Sequence, residues 1–158
     1  MPLDNAKALF NSLGFTVQPQ PSTEEEIAAL EKQLGVTLPG VYREFLLWMG
    51  KSRAGILLGS KWLIEDVPGL KASLISALAT YNAALKLPDD AFPFWDSQDY
   101  EYAFLRLSQG DASLVYRFHG TLDLTVSSFP IASVNFEQWL IEKMQQHVER
   151  MKSLGQPY

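Results

Sequence analysis

A chain of 158 residues, 47% hydrophobic and 20% charged, fits one domain able to bury about 70% of its unfolded surface, far from the compositions that stay disordered. With 18 acidic against 13 basic residues the net charge is −5, which argues against a nucleic-acid partner, whose phosphates need concentrated Lys and Arg, and favours a basic protein. Zero cysteines exclude disulfides, thiolate nucleophiles, iron–sulfur clusters and sulfur-liganded zinc, so a reducing, cytoplasmic setting is expected.

The opening Met1-Pro2-Leu3-Asp4-Asn5-Ala6-Lys7 has an acid where a signal peptide needs a basic start. No later run approaches the about 18 apolar residues of a membrane span, so no membrane association is expected. Leu3, Ala6, Leu9, Phe10 and Leu13 recur at helical spacing and stop at Gly14, a residue suited to the position after a helix. Gln18 to Pro21 reads as an extended connector. Ser22 and Thr23 precede Glu25 and Glu26 at capping-box spacing, and Ile27, Leu30 and Leu34 continue a stripe to Gly35, which predicts a helix over 23–34. Pro39 suits a first helical turn. Val41, Tyr42, Phe45, Leu46, Trp48 and Met49 then give an apolar face closed by Gly50, with Arg43, Glu44 and Lys51 left for solvent.

Residues 54–64, an apolar run broken by glycines, read as strands with a turn. Helical spacing returns over 70–86 until Pro88. Phe92 to Trp95, Tyr100 to Leu107 and Leu114 to Phe118 then predict an antiparallel meander, separated by turn formers at 96–99 and 108–111, with a further strand across Leu122 to Val126. Phe136, Trp139, Leu140, Met144, Val148 and Met151 define a closing helix. The order of elements makes an α+β domain of helices packed on a mainly antiparallel sheet.

Motifs for chemistry are sparse. Gly50-Lys51-Ser52 resembles the end of a phosphate loop, but Phe45 stands where that loop needs glycine. His119 and His147 are far apart, and both read as surface residues, in a turn and on the polar side of the last helix. Asp89 and Asp90 read as turn formers after Pro88 in preference to a catalytic pair. Asp96, Asp99 and Glu101 interleaved with Trp95, Tyr100 and Tyr102 are the best candidates for a partner surface, because aromatics supply contact energy while acids at a turn select a basic partner. The opposing reading is that Tyr100, Tyr102 and Phe104 share a strand face that belongs to the core. Tyr42, Phe45, Trp48 and Trp139 are assigned to the core.

Thr23-Glu24-Glu25-Glu26-Ile27, Leu30-Glu31, Leu34-Gly35, Leu38-Pro39 and Tyr42-x-x-Phe45-Leu46 ending at Gly50 resemble the N-terminal signature of the SUKH superfamily, specifically its cell-wall-regulator (killer-toxin-resistance) branch. Tyr100-Glu101-Tyr102-Ala103-Phe104, the turn near Asp111, Val115-Tyr116 and Phe136-Glu137-x-Trp139-Leu140 are similar to its later strands and closing helix, with Asn135 where the family often has Ser. The resemblance covers residues 22–145 and implies a single SUKH-like domain over 1–158. It further implies immunity proteins that neutralise a cognate polymorphic toxin, often a nuclease, or regulators acting through protein partners, and it carries no catalytic residues across.

The expectation is therefore a non-enzymatic immunity protein, with no cofactor and no metal, binding a basic toxin through Trp95, Asp96, Asp99, Tyr100 and Glu101. Replacing Asp96, Asp99 and Glu101 together by Ala is expected to weaken binding without lowering stability. A regulatory module with a housekeeping partner is the alternative. A small hydrolase is a third reading, and it requires distant Asp, Ser and His to meet in one pocket. Oligomeric state is left open.

Overall fold

Local punctuation sets most helix ends in the computed structural model, which describes residues 1–52, 56–57 and 59–158. Helix α1 (Asp4–Leu13) stops at Gly14 and α2 (Glu24–Leu34) at Gly35, with left-handed φ of 69° and 67°. The capping box is formed: Thr23 Oγ1 accepts from Glu26 N at 3.1 Å, and Glu26 Oε1 accepts from Thr23 N at 3.2 Å. Pro39 takes extended backbone (φ −56°, ψ 145°) and precedes α3 (Gly40–Met49) as its cap instead of entering the first turn. One free amide of that turn is served from a distant segment, since Asp111 Oδ1 accepts from Val41 N at 2.9 Å. Glu44 on α3, expected in solvent, is buried, and Lys7 of α1 reaches it at 3.0 Å.

The next helix, α4 (Val67–Tyr81), starts and ends earlier than the expected 70–86. It ends where Asn82 leaves helical backbone, and Asn82 Nδ2 donates to the carbonyls of Asp123 and Val126, both at 3.0 Å. Those bonds also explain why no strand forms at Leu122 to Val126. The buried Asp123 carboxylate accepts from His119 N at 2.8 Å and from Arg117 at 3.1 Å, so the segment curls around its own polar groups and cannot extend along a neighbour.

The sheet is an antiparallel meander in sequential order: β1 (Ser60–Lys61), β2 (Ala91–Ser97), β3 (Glu101–Arg106), β4 (Val115–His119) and β5 (Ile131–Ser133). A short 3₁₀ segment, Leu107–Ala112, joins β3 to β4. Of the strands expected across 54–64, the described residues contain only β1, while residues 54, 55 and 58 lie outside them. Helix α5 (Phe136–Ser153) is capped by Asn135 Oδ1, which accepts from Gln138 N at 2.8 Å.

Both faces of β3 are buried, as alternation in a central strand requires. Ala103 and Leu105 join Phe92, Phe94, Tyr42, Phe45, Phe136 and Trp139 beneath α1, α3 and α5. Tyr102 and Phe104 join Phe118, Leu74 and Leu78 beneath α4. The architecture is α+β, and its helices cover the two faces of one sheet. Tyr42, Phe45 and Trp139 are core as expected, whereas Trp48 is only partly buried. Among the described residues no helix is long and apolar enough to cross a membrane.

Candidate functional site

The hairpin joining β2 to β3 carries all five candidate residues, and strand alternation divides them. Register slips between Pro93 and Trp95, a bulge that lets Phe94 and Trp95 both reach the α5 side of the sheet. After the bulge ordinary alternation resumes, so Asp96 is paired with Tyr102 on the α4 side, while Ser97 and Glu101 pair on the side of Trp95. The turn itself is strained, with Gln98 and Asp99 at left-handed φ of 57° and 61°.

On the turn side the acids are tied up internally. Asp96 is fully buried, contrary to the expectation that acids at this turn face solvent. Its Oδ1 accepts from Asp99 N at 2.8 Å and so braces the strained turn, while Oδ2 has no hydrogen bond and lies 3.9 Å from Lys61 Nζ. Burial, reinforced by the neighbouring Asp99 charge, pushes the Asp96 carboxyl above its ordinary range. Asp99 is exposed and takes a 2.8 Å bond from Lys61, which holds its pKa down and raises that of Lys61. Tyr100 is half-buried with its ring edge-on to His119 at 5.1 Å. Alanine at Asp96 removes the brace of a strained turn, so a loss of stability is now expected from the triple replacement through that residue.

On the other side the structure opens a groove of about 540 Å³ between β1–β2 and α5. Trp95 and Glu101 line it, and Lys143, His147 and Arg150 line it from α5. These three recur at i, i+4 and i+7, one face of the helix, and of them the sequence singles out His147 alone, as a surface residue. Trp95 stands edge-on to Trp139 at 5.6 Å, and Lys143 Nζ lies 4.3 Å from the Trp95 ring centroid and 5.5 Å from that of Trp139. Burial lowers the Lys143 pKa although Glu101 and Glu142 oppose the shift. His147, expected on the polar side of its helix, is half-buried, its ring stacked 6.0 Å from Phe15, and burial and then Arg150 lower its pKa. A heptad scan of charges along 143–150 would have flagged the face, but its facing wall is a tertiary fact.

The remaining motifs resolve into structure. Ser52 Oγ accepts from Gln20 N at 2.6 Å and Lys51 pairs with Glu26 at 3.0 Å, so Gly50-Lys51-Ser52 ties the chain between helices. Asp90 accepts from Arg106 Nε at 2.6 Å and from Ser108 N at 3.2 Å, as a turn carboxylate does. His119 Nδ1 accepts from the amides of Thr121 and Leu122 at 3.1 and 3.2 Å. Among the described residues no three or more His, Asp or Glu side chains are grouped as a metal site would need.

A capped α2, an α3 whose Tyr42 and Phe45 fill the core, and an antiparallel meander closed by α5 are the common elements to be explained. A family model for the SMI1 / KNR4 family (SUKH-1) matches residues 21–142. The chain belongs to this family. No curated protein matches it in a sequence search. The SUKH-1 family is a protein-binding type of domain with immunity-like or regulatory roles. Its matched stretch ends at Glu142, so the β wall of the groove falls inside the SUKH-1 match, while Lys143, His147 and Arg150 fall beyond it.

Proposed function

We propose that this SUKH-1 chain is a non-enzymatic immunity protein that binds a cognate toxin, a nuclease being the best candidate class, through the groove beside Trp95. The observation that carries the reading is the groove itself: an aromatic floor with polar and charged walls, the composition of a protein-binding hot spot with its rim. The net charge of −5 supports a basic partner, because a nuclease exposes cations to nucleic acid and opposite charge speeds encounter. Of the candidate contacts, Trp95 and Glu101 line the groove, whereas Asp96 is buried and Asp99 and Tyr100 belong to the neighbouring turn. The cytoplasm, where a toxin meets its target, is the proposed location.

The test is capture of partners from the native cells with the tagged protein, at low and at high salt, followed by expression of each captured partner alone and with this chain. A partner that arrests growth alone, is tolerated in the presence of this chain, and is released by salt supports the reading. Trp95→Phe and Glu101→Ala are expected to lose that protection. Capture of a non-toxic housekeeping assembly alone would instead assign a regulatory role.

A further inference from the structure

Ion pairs neutralise some of the described cations and leave those of the groove open. Lys7, Arg43, Lys51, Lys61, Arg106 and Arg117 each hold a carboxylate within 4.0 Å. Lys143 and Arg150, like Lys32, Lys71, Lys86 and Lys152, have no carboxylate partner among the described residues, and of these Lys143 is the one whose pKa burial lowers. The indole of Trp95, against which Lys143 lies, also lacks an acceptor: its Nε1 is buried without a hydrogen bond, and the residue as a whole is 6% exposed. A buried donor without an acceptor is unusual, since buried polar groups are nearly always matched, and here it lies beside a half-buried lysine that has no carboxylate partner among the described residues. Glu101 is the single carboxylate among the described lining residues and forms no ion pair with Lys143 or Arg150. In a chain of net charge −5, this groove is a local excess of positive charge and of hydrogen-bond donors.

We propose that the groove is a carboxylate-receiving site, taking an Asp or Glu side chain that a partner protein inserts between Lys143 and Arg150 against Trp95. The proposal rests on the groove being the partner-binding face, and it concerns one inserted residue, so an otherwise basic partner fits it. Charge complementarity selects the carboxylate: an inserted cation would meet two unpaired cations. An apolar side chain would leave Lys143 and the indole N–H without acceptors. Apolar lining from Ile56, Leu57, Met151 and Leu154 accommodates the residues that flank the acid. The Lys143–His147–Arg150 face lies beyond the family match, which places the selective wall in this chain's own flanking segment.

The probe is the neutral-ended peptide Ac-Gly-Leu-Glu-Leu-Gly-NH2, compared with its Gln counterpart, titrated into the intact ¹⁵N-labelled chain. The chain has four indole N–H signals, one per Trp, and Trp95→Phe assigns the relevant one. The Glu peptide is expected to move the Trp95 signal saturably and to bind about 10-fold more tightly than the Gln peptide, an advantage that added salt erodes. Lys143→Gln and Arg150→Gln are each expected to remove that preference while leaving the melting transition in place. Equal binding of the two peptides, an unmoved Trp95 signal, or Gln variants that keep the preference would overturn the proposal. If the preference fails while a captured toxin still depends on Trp95 and Glu101, the carboxylate site falls and the immunity reading stands. If the preference holds and no toxin is found, the site stands and the immunity reading falls.

Discussion

The two sides of the β2–β3 hairpin are built from neighbouring residues and treat charge in opposite ways. On the turn side, Asp96, Asp99 and Lys61 lie within 3.9 Å of one another, and although Asp96 Oδ2 keeps no hydrogen bond it is buried, so little charge is left to offer a partner. On the groove side, Lys143 and Arg150 face Trp95 and Glu101 without closing an ion pair among the described residues. Charge density along the sequence is thus a poor guide to available charge. What matters is whether the fold has already spent the charge on itself, and a single bulge at Pro93–Trp95 decides on which side each residue falls.

The comparison breaks most visibly at Trp95. Trp95→Ala removes a ring packed on Trp139 and is expected to cost ~3–5 kcal/mol by chemical denaturation; a loss under ~1 kcal/mol would mean that the ring is not part of the core. Next in size, Asp96→Ala should cost ~1–3 kcal/mol, because the Asp99 amide loses its buried acceptor. Asp99→Ala, by contrast, should leave the midpoint nearly unchanged, and equal losses from the two would erase the distinction between brace and rim.

Asp96→Asn tests the same residue through pH. Burial raises the folded-state pKa of Asp96 above its unfolded value, so the wild type binds this proton more tightly when folded. Its contribution to stability is present at low pH and is lost as pH rises through the raised value. The variant keeps an acceptor and sheds the charge. Its stability relative to wild type should therefore climb from the ordinary carboxylate range upward and then level off; a flat difference in melting temperature across that range would contradict the burial. A small effect of opposite sign is expected at Gln98, exposed with φ of 57°: Gln98→Gly should stabilise by ~1 kcal/mol, since glycine occupies that backbone without strain. A destabilised variant would show that the side chain contributes more than its conformation costs.

Short-range rules were legible residue by residue. Gly14, Gly35, the Thr23–Glu26 box and the Asn135 cap each act through atoms within four residues, so the sequence determined those helix ends and, with them, the order of elements. The family followed from the same stretch, because its signature consists of such caps, glycines and core positions. The candidate site was legible only in part: Trp95 and Glu101 line the groove, while Asp96 looked like a surface acid because turns are usually wet. Tertiary structure alone decided the rest. Glu44 is buried because Lys7 comes from another helix, Leu122 to Val126 is curled because Asn82 reaches across, and Lys143 meets Trp95 because α5 packs over the bulge. Each of these depends on groups tens of residues apart, whose energies exist only after the chain has closed on itself, whereas a cap or a helix stop is complete within one turn.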